Sequence, residues 1–157
     1  MIVVSDTSAI SNLLKIDAVD ILRLTFGRVI IPDAVYEEIC EIQSHSLTLN
    51  QLGWIDRVTL SHPPDERALL ALDRGEAEAI TLAIRLSADY LLIDEAEGRG
   101  VARQLGVKFV GLPGVLSMAK KNGHIERIKP YVDRLIHEAR FRLRRDLVEE
   151  TLRQAGE

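Results

Sequence analysis

The sequence predicts an α/β fold, a parallel sheet of four to five strands with helices against both faces. Three observations predict it. Short apolar runs at 2–5, 28–31, 90–93 and 107–110 recur between stretches of helical periodicity. They read as continuous apolar runs rather than as alternation, the pattern of strands covered on two sides. Strands separated by helices along a chain are the ones that pair in parallel. With 46% apolar residues and only 4% aromatic, the core has to be aliphatic.

Taken in order, residues 2–5 form the first strand. Thr7 or Ser8 can cap a helix at 9–15, and Asp17 caps another with Val19, Ile21, Leu22 and Leu24 as its apolar positions. The strand at 28–31 is stopped by Pro32. Pro32-Asp33 then opens a helix through about residue 41, with proline and an acid where helix starts favour them. Residues 44–53 give a short helix ended by Gly53, and 54–60 read as an edge strand. Pro63-Pro64-Asp65-Glu66 turns into a helix that runs to Asp73 and is stopped by Gly75. Residues 76–87 are apolar on nearly every side, which marks a buried helix. A strand at 90–93, a helix at 95–105 stopped by Gly106 and a strand at 107–110 follow. A helix at 113–122 ends at Gly123. A long helix spans 125–145, and 147–152 add a last turn or two.

At 157 residues the chain fits one domain, 1–157, with a C-terminal helical extension at about 125–155. The single cysteine, Cys40, excludes an internal disulfide and a cysteine-built zinc site. The four histidines are scattered without metal-ligand spacing. No segment reaches the roughly 18–20 apolar residues of a membrane span. The N-terminus has no basic region before its short apolar run, so the chain reads as cytoplasmic with no membrane partner. Net charge is −4, which argues against a general nucleic-acid binder. Its distribution is uneven. Residues 120–145 hold nine basic and three acidic side chains, whereas residues 1–60 hold four basic and eight acidic. That asymmetry suits an acidic metal pocket beside a basic phosphate-binding surface.

Four acids stand where charge is costly. Asp6 and Asp94 end apolar strands; Glu38 and Glu78 interrupt apolar helices. Carboxylates in such places need a partner, and a divalent cation is one. In a parallel α/β fold ligands bind beyond the carboxyl ends of the strands, where Asp6 and Asp94 project. Glu37 is about 100° from Glu38 round its helix and is the solvated one of the two. Glu76 competes with Glu78 but lies about 200° away, so the two cannot share a role. Glu76 can be stabilised by the helix dipole alone, which favours Glu78 for the site.

Val4-Ser-Asp6-Thr-Ser8, the helix carrying Glu38, Gly75-Glu-Ala-Glu78-Ala-Ile-Thr-Leu-Ala83 and Leu91-Leu-Ile-Asp94-Glu-Ala-Glu-Gly-Arg99 together resemble the PIN-domain family, in a prokaryotic branch similar to VapC-type toxins. The resemblance covers almost the whole chain. It implies a three-layer α/β/α fold and a Mg²⁺- or Mn²⁺-dependent ribonuclease, the toxin half of a toxin–antitoxin pair. Asp6, Glu38, Glu78 and Asp94 match the family's metal-binding acids. Ser8 is placed as a hydroxyl beside the site, and Arg99 as a contact for a substrate phosphate. Leu92 departs from the family, where a threonine often precedes the last acid by two residues. Implied partners are an RNA substrate, a small antitoxin protein and a second copy of the chain, with a dimer face on helices within residues 9–24. The alternative is a catalytically quiet PIN-like module that keeps the acidic pocket as a metal- or protein-binding site. A phosphotransferase would need a second Asp where Ser8 stands.

Overall fold

The apolar runs become five strands in a computed structural model that describes residues 1–64 and 66–157. They are β1 (Val3–Ser5), β2 (Val29–Pro32), β3 (Ile55–Val58), β4 (Tyr90–Leu92) and β5 (Phe109–Val110). All pair in parallel, in the order β3-β2-β1-β4-β5. Val3, Val4, Val29, Ile31, Leu91 and Leu92 are buried, which is why these segments are apolar on both faces. The helices are α1 (Thr7–Lys15), α2 (Asp20–Phe26), α3 (Asp33–Cys40), α4 (Gln43–Gln51), α5 (Arg74–Arg85), α6 (Ala96–Gln104), α7 (Leu112–Lys121), α8 (Lys129–His137) and α9 (Arg145–Gln154). A 3-10 turn, Arg67–Ala71, stands in the 66–73 region where the sequence predicts an α-helix. Residue 65 of the predicted 63–66 turn lies outside the described residues. The layers are α/β/α, and no described helix is long and apolar enough to cross a membrane.

The strand order fixes where a ligand can bind. From β1 the chain winds outward to β2 and β3, then returns to β4 on the other side of β1 and continues to β5. The winding reverses between β1 and β4. Crossovers leave such a pair toward opposite faces and open a crevice at its carboxyl ends. The two strands run in register, Val3 opposite Tyr90 and Ser5 opposite Leu92.

Four local expectations are corrected. Asp6 itself caps α1, its Oδ1 accepting from Ala9 N–H at 3.2 Å, so Thr7 and Ser8 lie inside the helix. Asp17 does not cap α2; it sits at φ 54°, and Ala18 N–H reaches back to Leu13 carbonyl at 2.9 Å to close α1. Gly75 does not stop a helix. It lies in the first turn of α5, which Asp73 caps through Glu76 N–H at 2.8 Å.

The fourth correction matters most for the site. The long helix predicted over 125–145 is only α8. Proline has no N–H and fits the first turn of a helix, so Pro130 sets the start. Arg140 at φ 54° turns the chain out, and Phe141 N–H closes the end on Leu135 carbonyl at 2.8 Å. Residues 140–144 then run as an irregular strap before α9. Their exposure alternates: Arg140, Arg142 and Arg144 are exposed, while Phe141 and Leu143 pack on the core. The chain end ties this region down. The Glu157 carboxylate accepts from Ile128 N–H at 2.8 Å, Lys129 N–H at 3.1 Å and Lys120 Nζ at 2.8 Å, satisfying the open N-terminus of α8.

Candidate active site

Asp6 and Asp94 meet at the reversal of winding. Asp6 follows the last residue of β1 and is 1% exposed; its N–H donates to Leu92 carbonyl of β4 at 3.0 Å. Asp94 follows β4 by two residues, and its Oδ1 accepts from Leu112 N–H at 2.9 Å. That close approach needs Gly111, since a Cβ there would lie 2.7 Å from Oδ1. Asp94 Oδ2 is buried with no hydrogen-bond partner in the structure.

Burial raises the Asp6 carboxyl well above the usual carboxylate range, and the charges of Asp94, Glu76 and Asp73 add to it; the Ala9 N–H opposes them. Burial likewise pushes Asp94 up to about 6, against the Leu112 N–H and the nearby Arg99 guanidinium.

Glu76, not Glu78, shares a cavity with Asp6. A cavity of about 360 Å³ is lined by Asp6, Ser8, Glu38, Asp73, Glu76 and Glu95, together with Thr7, Ser11, Asn12 and Lys15. Glu76 is pushed up to about 8, by partial burial first, then by its hydrogen bond to the Asp73 carboxylate and the charges of Asp73, Glu95 and Glu97. Glu78 points elsewhere, as its place about 200° round the helix requires. Its Oε1 accepts from Ala34 N–H at 3.1 Å and its Oε2 pairs with Arg74 Nε at 2.9 Å. It therefore caps α3, whose own N-cap, Pro32, offers no side-chain acceptor. The sequence carried a sign of this. Arg74 and Glu78 are spaced i, i+4, and Asp73 and Glu76 have capping-box spacing that anchors Glu76 in the first turn.

Glu38 lies at the rim of the cleft as a clamp between two helix starts. Its Oε1 accepts from Gly75 N–H at 3.1 Å, and its Oε2 accepts from Thr7 Oγ1. A Cβ on residue 75 would stand 2.6 Å from either oxygen, which explains a glycine in a helix's first turn. Glu37 turns outward to Arg74 Nη1 at 2.6 Å. Ser8 Oγ accepts from Asn12 Nδ2 at 3.1 Å.

A second cavity, of about 630 Å³, adjoins the first; Ser8, Asn12, Lys15 and Glu95 line both. Asp94, Arg99, Gly111 and the strap 140–144 complete it. The strap arginines belong to the basic run at 120–145, but the continuous helix expected over 125–145 would have spread them round its surface.

Among the described residues no three His, Cys, Asp or Glu side chains are drawn together as a metal-holding group. The donor chemistry fits a divalent cation all the same. All the cleft acids offer hard oxygen donors, burial opposes the charged form of Asp6, Glu76 and Asp94, and Asp94 Oδ2 is a buried acceptor without a donor.

A solved structure of a PilT N-terminus domain protein, SSO1118, from the hyperthermophilic archaeon Sulfolobus solfataricus P2 shares the fold. The TM-score is 0.57 at 23% identity, over 74% of this chain and 92% of that one. Among curated proteins none matches. A family model for the PIN domain, DUF3368, matches residues 2–157. With the match running through both strand-end aspartates and the strap, the chain belongs to the PIN-domain family.

Proposed function

We propose that this protein is a metal-dependent endoribonuclease that hydrolyses RNA phosphodiester bonds, with Asp6, Glu76 and Asp94 as the acids that would hold Mg²⁺ or Mn²⁺. PIN domains are generally nucleases and typically use divalent metals. The observation that carries the reading is the pairing of Asp6 and Asp94 at the carboxyl ends of β1 and β4, buried and mutually repelling. A bound divalent cation supplies an activated water and offsets charge that develops at the phosphate.

The chain's own residues do the rest. The Ala9 and Leu112 N–H groups each fix one oxygen of Asp6 and Asp94, which leaves the second oxygen of each for the cation. Glu38 holds the starts of α1 and α5 together, so that Asp6 and Glu76 keep their separation. Arg99 and Lys15 offer positive charge to a substrate phosphate beside the acids. Ser8, hydrogen-bonded to Asn12, positions the wall shared by the two cavities.

The finer reading makes the protein the toxin of a toxin–antitoxin pair, held silent by a small antitoxin and acting as a homodimer. What supports it is the order of the four acidic segments. Its check is growth arrest on expression of the chain, relieved by a neighbouring small gene product.

The decisive comparison is Glu76→Gln against Glu78→Gln in a Mn²⁺-dependent assay on structured RNA. Glu76→Gln is expected to lose about 100-fold or more in cleavage, at least what loss of a supporting group costs a metal site. Glu78→Gln should cleave normally while losing about 0.3–1 kcal/mol of stability, from the missing charge at the α3 N-terminus and the lost pair with Arg74. The reverse pattern returns the site to Glu78. Metal binding without scission by the unaltered protein supports the catalytically quiet module instead.

A further inference from the structure

The strap at residues 140–144 has no role in holding the acids, yet it forms one wall of the larger cavity beside Asp94. Phe141 and Leu143 anchor it on the core, and the alternation leaves Arg140, Arg142 and Arg144 exposed. Several exposed arginines of this chain pair with acids. Arg134, Arg145 and Arg153 each pair with a glutamate three or four positions away, and Arg28 and Arg57 pair with aspartates. Within the strap, Arg144 pairs with Asp146 at 2.6 Å. Arg140 and Arg142 form no ion pair among the described residues, nor does Arg99, which faces the same cavity. Three guanidiniums without a direct ion pair thus face one groove, whose acids Asp94 and Glu95 stand at the end toward the cleft, an arrangement that suits an anionic ligand along the strap.

The opposite wall is one face of α1, with Ser8, Asn12 and Lys15 at i, i+4 and i+7. These three also line the acidic cleft, so the groove is continuous from the strap to the carboxylates. Asp6 lies at its floor, 1% exposed. A phosphodiester has to descend to reach it. A flexible single strand does so at little cost, whereas a duplex must be bent.

We infer that the strap is a backbone-binding element for single-stranded RNA, in which Arg140 and Arg142 hold phosphates flanking the one presented to Asp6 and Asp94. This rests on the nuclease reading of the cleft. Arg140 and Arg142 stand two positions apart, at most about 7 Å of extended chain. That matches about two steps of a stacked strand, the separation of the phosphates on either side of a scissile one. The contacts are to phosphate alone, so the strap confers affinity without base preference.

The test is binding of a short fluorescein-labelled oligouridylate by anisotropy in EDTA, where neither metal nor scission enters, between about 50 and 200 mM salt. The Arg140→Gln/Arg142→Gln double variant is compared with the unaltered protein and with Lys108→Gln. Lys108 lies at the opposite end of the sheet, just before β5. Both variants are first checked for unchanged melting. Loss of two phosphate contacts should lower the slope of log affinity against log salt by about 1.4, with Lys108→Gln lowering it no more than a remote charge does. Equal slopes in the double variant and Lys108→Gln would overturn the strap, and cleavage by the unaltered protein with Mn²⁺ would then judge the nuclease reading by itself. Unchanged RNA binding with lost binding of a labelled polyglutamate would overturn it in favour of an acidic protein segment. Binding through the strap with no scission in Mn²⁺ leaves the strap standing and removes the nuclease reading.

Discussion

Asp6 and Asp94 each accept one backbone N–H, from Ala9 and Leu112, and each carries a charge that its surroundings oppose. An asparagine keeps the accepting oxygen and discards the charge, and it is as good a helix cap as aspartate. Asp6→Asn and Asp94→Asn should therefore melt higher than the unaltered protein in EDTA, by about 1 kcal/mol or roughly 2–4 °C, while losing cleavage. Calorimetry in EDTA beside an RNA assay reads both. An earlier melt for Asp6→Asn would make Asp6 a structural cap and nothing more.

At the scale of elements, helix starts in this chain are closed by acids borrowed from other segments. Glu78 of α5 caps α3, Glu38 of α3 holds the first turns of α1 and α5, and Glu157 closes α8. The last of these gives a pH prediction. Burial works to raise the Glu157 carboxyl, but the Ile128 and Lys129 N–H groups and the Lys120 ammonium bring it down to about 2, below its ordinary 4.5. A carboxyl depressed in the folded state contributes stability that is present above its unfolded value and lost as pH falls through the folded one. Glu157→Gln should cost about 1–2 kcal/mol at neutral pH. The gap from the unaltered protein should close as pH drops from about 4.5 toward about 2. Thermal melts across that range, at fixed salt, follow the gap directly. A gap independent of pH would show that shape, not charge, holds the chain end.

For the whole molecule, two regions of opposite charge stand side by side at the reversal of sheet winding: the acids after β1 and β4, and the arginine strap between α8 and α9. A ligand that binds only the folded state stabilises it by mass action. Mn²⁺ at about 100 times its dissociation constant should add about 2.7 kcal/mol, and that gain should vanish in Asp94→Asn. A melting temperature indifferent to Mn²⁺ in the unaltered protein would remove the metal from the mechanism.

By itself the sequence determined the fold class, the parallel sheet and the placing of Asp6 and Asp94 at strand ends, because continuous apolar runs and the residues that end them are local signals. The edge strand β3 and the stops at Gly106 and Gly123 were legible for the same reason; both glycines take positive φ, 74° and 78°. Two things were decided only by tertiary structure. Which of Glu76 and Glu78 lines the cleft depends on which face of α5 meets the start of α3, and a helix apolar on nearly every side does not announce its orientation. The strap depends on a helix started at Pro130 and ended by the left-handed Arg140, and on Phe141 and Leu143 finding the core. Its arginines gather beside Asp94 only once the chain has folded back across α1, a contact between positions about 130 apart in sequence that no local pattern encodes.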